Sequence, residues 1–157
     1  MLKSLGQKTD KLAACKVTRL FTSLFWLFLF SLSFAGLAVS ASTPEYNYKL
    51  FCQGCHLPDG SGVPAEVPSL INQLSRFINL PEGREYIVQV PGVMQALLTD
   101  SELADLLNWV LENFDKELSS DFLPYTEKEI SDIRSKGHVD VVEKRTLIMK
   151  IISEENF

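Results

Sequence analysis

The stretch from Leu20 to Ala41 carries no charged side chain, and it decides how much of the chain is left to form a folded domain. Five basic residues and one acidic residue precede it: Lys3, Lys8, Lys11, Lys16 and Arg19 against Asp10. A basic segment, an apolar run and a small-residue end (here Val39 to Ala41) are typical of a secretory signal peptide. We therefore predict a signal peptide over residues 1–41, cleaved after Ala41, and an exported domain over residues 42–157 in the periplasm.

Two alternatives exist for the same segment. The apolar run is long enough to cross a bilayer, so an uncleaved anchor in the inner membrane is the first alternative. The basic flank faces the cytoplasm in either case. Lipid attachment at Cys15 is the second, but a lipid-attachment box follows the apolar region, whereas Leu12 to Cys15 precede it.

The exported part is acidic. Residues 1–41 hold five of the 15 basic residues and one of the 20 acidic residues, so 10 basic and 19 acidic residues remain, a net charge of −9. Phosphate binding needs clustered Lys and Arg, so this charge argues against nucleic acid as a partner. It favours partner proteins that present a basic patch.

The two cysteines of the exported part stand in Phe51-Cys52-Gln53-Gly54-Cys55-His56, a C-x-x-C-H pattern. This is the attachment signature of c-type haem. Thiols three positions apart lie about one helical turn from each other, so both can add to vinyl groups on one edge of a porphyrin. His56, the next residue, then directs its imidazole at the iron from the same side. The pattern predicts one haem c attached to Cys52 and Cys55, with His56 as the proximal iron ligand.

Three other kinds of site use closely spaced cysteines. A thioredoxin-like redox pair follows a strand in a βαβ unit, and no β-branched run precedes Cys52. A zinc site needs four ligands, whereas Cys52, Cys55 and the distant His138 provide three. A structural disulfide is common in an oxidising compartment, but it gives no reason for His56.

Residues 43–115 resemble the class I cytochromes c around this motif. Thr43 is suited to cap a first helix, and Val67-Pro68-Ser69-Leu70 is similar to the Gly-Pro-Asn-Leu segment of that family. The resemblance implies an all-α haem domain over residues 42–115. It also implies that the Pro68 carbonyl accepts a hydrogen bond from the ligand histidine, with Pro64 as the alternative acceptor.

The last helix of this domain is predicted from one apolar stripe. Apolar residues fall at i, i+3, i+4, i+7, i+8 and i+11: Leu103, Leu106, Leu107, Val110, Leu111 and Phe114. Thr99 and Glu102 have the spacing of a capping box at its start. The resemblance implies that this helix crosses the first one, with Trp109 at the aromatic position of the crossing.

Met94 is predicted as the distal iron ligand. It follows Pro91 and Gly92 on an expected loop before the Thr99 cap, where the class I family commonly has a methionine ligand. A thioether favours Fe(II) and raises the potential. His138 and Met149 are the alternatives, and a distal side without a protein ligand is a further one if Met94 only packs in the core.

Arg76 and Arg84 are the only basic residues between His56 and Trp109. Buried haem propionates need a cationic or hydrogen-bonding partner, so either arginine is a candidate for that role. An exposed helix charge is the alternative for each. Pro81 is expected to open a short helix that includes Arg84.

Residues 116–157 are predicted as a helical C-terminal extension. Residues 121–125 are expected to form a linker. Thr126 and Glu129 have the spacing of a second capping box, for a helix that runs through Lys136 and ends at Gly137. A final helix is predicted over residues 139–152, either folded back on the core or presenting a docking face to a partner subunit.

Two functions are compatible with these predictions. The first is an exported monohaem cytochrome that carries single electrons between a dehydrogenase and a downstream acceptor. We do not expect an enzyme, because His138 is the only histidine besides His56 that could serve in acid–base catalysis. The second is a haem subunit or ligand-binding sensor with an open distal site, which docks a partner through its C-terminal extension.

Overall fold

The computed structural model describes residues 42–155, and the predicted leader lies outside that range. Helices are the only regular elements among the described residues, which confirms the all-α class. In chain order they are α1 (Pro44–Phe51), α2 (Gln53–His56), α3 (Leu74–Ile78), α4 (Pro81–Gln89), α5 (Pro91–Met94), α6 (Asp100–Phe114), α7 (Glu127–Ser135) and α8 (Val141–Glu155). None of these helices combines the length and the apolar composition needed to cross a membrane.

The predicted starts of α1, α4 and α6 are confirmed. The Thr43 hydroxyl accepts a hydrogen bond from the Tyr46 amide at 3.3 Å, and Pro81 is the first residue of α4. Thr99 and Glu102 form a reciprocal capping box, in which each side chain accepts from the backbone amide of the other residue. These contacts satisfy amides that have no partner within the helix, so nearby residues alone set where the helices begin.

Helix α5 lies where the sequence predicts a loop. Pro91 occupies its first position, where the fixed φ of proline suits a helix. The amides of Val93 and Met94 both donate to the Val90 carbonyl at 2.9 Å. Met94 is therefore the last residue of a helical turn.

The crossing of α1 and α6 forms one side of the hydrophobic core. Tyr48 of α1 is buried, and its ring lies 5.5 Å from Trp109 and 5.0 Å from Phe114. The predicted stripe of α6 is buried at five of its positions: Leu103, Leu106, Leu107, Val110 and Leu111. Aromatic pairs at such distances contribute about 0.5–1.5 kcal/mol beyond the burial of their surface, so the three rings hold α1 against α6.

The C-terminal extension folds back and belongs to the same core. Five of its side chains are buried there: Tyr125, Ile130, Ile133, Ile148 and Ile152. Tyr125 N donates to Asn108 Oδ1 at 2.7 Å, and Asn108 Nδ2 donates to the Tyr125 carbonyl at 3.0 Å. The segment 121–125 is thus not a free linker, because both backbone groups of its last residue are bonded to α6.

The predicted capping box of α7 forms only in its first half. The Thr126 hydroxyl accepts from the Glu129 amide at 3.2 Å. The Glu129 carboxylate is engaged elsewhere, in a two-pronged ion pair with Arg84 whose N···O distances are both 2.8 Å. Because a forked arginine–carboxylate pair is stronger than a single bond to an amide, it ties α7 to α4 at the expense of the cap.

Helix α8 begins two residues later than predicted. Asp140 caps it, since its Oδ1 accepts from the amides of Val142 and Glu143 at 3.0 Å. Lys144 fixes the helix on α4: its Nζ donates to Gln89 Oε1 at 2.8 Å and lies 3.2 Å from a Glu85 carboxylate oxygen. The first turn of α8 is therefore held in place from both its end and its side.

Candidate functional site

A partly open cavity of about 150 Å³ lies beside α2. One end of it is formed by Cys52, His56 and Pro68, and the extension contributes Tyr125 and Arg145. Most of the wall is apolar and comes from α3, α4 and α6: Leu74, Phe77, Ile87, Leu107, Val110 and Leu111. An apolar lining with a few polar groups is typical of a site for a small molecule or cofactor.

The C-x-x-C-H motif lies at the break between α1 and α2. The amides of Cys55 and His56 both donate to the Cys52 carbonyl, at 3.0 and 2.9 Å, so the motif forms a tight turn. Cys52 and His56 line the cavity, whereas Cys55 is exposed. Both cysteines are free thiols, and the turn brings two of the three motif residues to the cavity wall.

The environment of His56 favours a neutral imidazole. Burial lowers the pKa of His56 below its ordinary value, and the nearby Pro68 carbonyl opposes this by favouring the protonated ring. The Nδ1 atom is buried and has no hydrogen-bond partner among the described residues. The Pro68 carbonyl is therefore close to the His56 ring, but it does not satisfy Nδ1. A neutral imidazole is the form that binds metals.

The Cys52 thiol is not activated. Burial and the neighbouring Cys55 raise the pKa of Cys52 to about 11. Redox-active C-x-x-C pairs have the opposite property, a lowered thiol pKa that supplies a thiolate at neutral pH. The electrostatics therefore argue against a thioredoxin-like pair. In the described part of the chain, the motif included, no group of three His, Cys, Asp or Glu side chains is placed to hold a metal ion.

The residue after His56 has a strained backbone. Leu57 has φ 53° and ψ 166°, a region that costs a residue with a side chain about 1–3 kcal/mol. The Tyr48 hydroxyl donates to the Leu57 carbonyl at 2.6 Å and lies 3.2 Å from the His56 carbonyl. Burial raises the pKa of Tyr48 to about 12, so its hydroxyl keeps its proton and remains a donor. Tyr48 thus connects α1 to the strained peptide beside His56.

We expect Tyr48→Phe to destabilise the protein by about 1–2 kcal/mol. The substitution keeps the ring contacts but removes a donor from a partly buried carbonyl, and such a loss costs about this much. Urea unfolding of the purified protein measures the change. Tyr46→Phe is the matched control, because Tyr46 lies on the same helix with 54% of its surface exposed, and its effect is expected to stay within about 0.5 kcal/mol. Equal stability of the two variants would contradict a role for the Tyr48 hydroxyl.

Met94, predicted as the distal ligand, does not line the cavity. Its neighbour Val93 does. Met94 is half-buried at the end of α5. The alternative ligands His138 and Met149 are exposed and do not line the cavity either. Of the residues predicted as iron ligands, His56 alone therefore lies in the cavity wall.

The two arginines predicted as propionate partners also lie outside the cavity wall. Arg76 is exposed. Arg84 is engaged by Glu129, and its Nη1 also donates to the Leu123 carbonyl at 2.8 Å. Trp109 packs on Tyr48 rather than against the cavity. Arg84 and Trp109 thus support the helices around the site.

Tyr125 and Arg145 line the cavity but were not predicted from the sequence. They were missed because Tyr125 belongs to a segment expected to be a linker and Arg145 belongs to a helix of mixed charge. A signal for Arg145 is present, however: it shares one helix face with Val141, Ile148 and Ile152, at i−4, i+3 and i+7. A lone arginine on an otherwise apolar face indicates a charge that points toward the interior.

Comparison of the chain with models of known protein families and with curated proteins finds no match.

Proposed function

We propose that this chain is an exported c-type cytochrome with one covalently bound haem, which carries single electrons and is not an enzyme. One observation carries the proposal: the C-x-x-C-H motif, the attachment signature of c-type haem, brings Cys52 and His56 to the wall of an apolar cavity. The resemblance of residues 43–115 to the class I cytochromes c supports the same conclusion.

The residues around the cavity fit such a group. The Pro68 carbonyl lies near the His56 ring, whose Nδ1 is buried. A proton on Nδ1 would leave the lone pair on Nε2 free for iron. Cys52 and Cys55 supply the two thiols that thioether bonds require. The aliphatic and aromatic wall matches the apolar surface of a macrocycle and removes that surface from water.

Haem c supplies a reversible one-electron change at its iron. The residues of the chain set the conditions for it. Cys52 and Cys55 hold the group, His56 binds iron from one side, and the Pro68 carbonyl favours one orientation and tautomer of the imidazole. The apolar wall disfavours the extra positive charge of Fe(III), which raises the potential. The net charge of −9 for residues 42–157 favours redox partners with a basic docking patch.

A second candidate function is the binding of a small ligand at an open distal site. The placement of Val93 rather than Met94 in the cavity wall favours it, because a valine side chain has no atom that binds iron. In that case the protein is a haem subunit or sensor, and electron transfer is not its main role.

Absorption spectroscopy of the purified protein tests the proposal. A methionine-ligated carrier shows low-spin ferric iron with a weak thioether charge-transfer band, and we expect Met94→Ala to abolish that band and lower the potential. Met149→Ala is the control, because Met149 lies on the surface of α8. A high-spin ferric spectrum in the wild type, with carbon monoxide binding to the reduced protein, would favour the second candidate. A protein purified without any covalent haem would contradict both.

A further inference from the structure

The side of α8 that faces the protein is apolar except for Lys144, which pairs with α4, and Arg145. Val141, Ile148 and Ile152 pack against the core from this face, and Arg145 stands among them at the spacing that places it on the same side. The guanidinium of Arg145 lies 5.3 Å from the centroid of the Phe77 ring, and both residues line the cavity. On the other side of α8, Val142 and Leu147 are exposed. The helix therefore directs an arginine, instead of one of its apolar residues, toward the cavity.

Arg145 has no anionic partner in the described part of the chain. No carboxylate within residues 42–154 lies within ion-pair distance of it, and no Asp or Glu lines the cavity. Its contact with the Phe77 ring is a weak cation–π interaction and does not neutralise the charge. A half-buried guanidinium normally has a carboxylate or phosphate partner, because its desolvation is otherwise uncompensated. The cavity thus contains a positive charge that is complementary to an anion.

The position of Arg145 is fixed by the residue next to it. Lys144 holds the first half of α8 on α4 through Gln89 and Glu85. The backbone of α8 at Arg145 is therefore held beside the cavity by two contacts of Lys144 on α4.

We propose that Arg145 forms an ion pair with a carboxylate of the group bound in the cavity, which under the proposed function is a haem propionate. A guanidinium can bind both oxygens of a carboxylate in a fork. Arg84 is already saturated by Glu129 and Leu123, and Arg76 lies outside the cavity wall. The extension therefore supplies a binding residue, in addition to its contribution to the core.

Redox titration of the haem-loaded protein tests this inference, which rests on the proposed function. Arg145→Met should lower the midpoint potential, because removing a positive charge beside the haem disfavours Fe(II) relative to Fe(III). It should also shift the propionate bending band in the resonance Raman spectrum, a signal that a merely structural role would not move. Arg145→Lys keeps the charge but not the fork, so its potential should recover part of the loss and its Raman band should stay shifted.

Arg76→Met is the matched control, because it removes the same charge from an exposed site and is expected to leave both signals unchanged. Wild-type values in Arg145→Met, or an equal shift in Arg76→Met, would overturn the inference. Absence of covalent haem from the wild-type protein is a different result: it contradicts the proposed function, and this inference with it. A haem-loaded protein that does not respond to Arg145 contradicts only the inference.

Discussion

Replacement of both Cys52 and Cys55 by alanine is expected to abolish covalent attachment of haem. Each thiol can form one thioether bond, so the double variant has no covalent link to the group. Haem staining after denaturing electrophoresis measures this directly, because only covalently bound haem migrates with the polypeptide. We expect a stained band for the wild type and none for the double variant.

The matched control for this experiment is Cys15→Ala. Cys15 is the third cysteine of the chain and lies in the predicted leader, outside the described residues. This variant should stain as strongly as the wild type. A double variant of Cys52 and Cys55 that still carries haem through denaturation would remove the basis of the proposed function.

Gly83→Ala is expected to destabilise the protein by about 3 kcal/mol or more. A Cβ atom at this position would lie 2.1 Å from the Phe77 carbonyl oxygen, so backbone has to move. The same oxygen accepts a hydrogen bond from the Leu80 amide at 3.0 Å, in the turn between α3 and α4. Overpacking in a core costs about 1–3 kcal/mol and occasionally more, and a rigid carbonyl cannot turn aside as a flexible side chain can. Urea unfolding of the haem-loaded protein measures the loss.

Gly92→Ala is the matched control for this substitution. Gly92 is also a helical glycine, but a Cβ atom there would meet nothing within 4 Å. Alanine should be neutral at this position or stabilise α5 by up to about 1 kcal/mol. If the two variants were equally stable, the close approach between α3 and α4 would not contribute to the fold.

The parts of the fold that could be predicted from the sequence are those set by neighbours along the chain. The cap of α1 at Thr43 and the capping box of α6 at Thr99 involve residues within three positions of each other. The packing of the extension depends on residues far apart. Arg84 and Glu129 are separated by 45 positions, and no local pattern indicates that they meet. Because its carboxylate pairs with Arg84, Glu129 does not complete the predicted capping box with Thr126.

The same distinction between neighbouring and distant residues applies to the candidate site. Cys52, Cys55 and His56 lie within five positions, and their spacing alone predicts a haem site. The structure places Cys52 and His56 in the cavity wall and leaves Cys55 exposed. Arg145 comes from a helix at the other end of the chain, where its charge gives it the pattern of a surface residue. Met94 is a residue for which the local pattern was misleading. Its position between a proline and a cap predicted a loop. Instead, Pro91 begins a helix, and Val93 rather than Met94 lies in the cavity wall.

The residues that line the cavity are far apart in the sequence, so they emerge at different times as the chain is produced. A chain emerges from its N-terminus, so under the proposed function Cys52, Cys55 and His56 would leave an exporter before α8 does. Until α8 arrives, the cavity lacks the side that Arg145 forms, and the apolar residues opposite it are accessible. Under the proposed function, haem can therefore enter and become attached while the cavity is still open. The packing of α8 then closes the cavity.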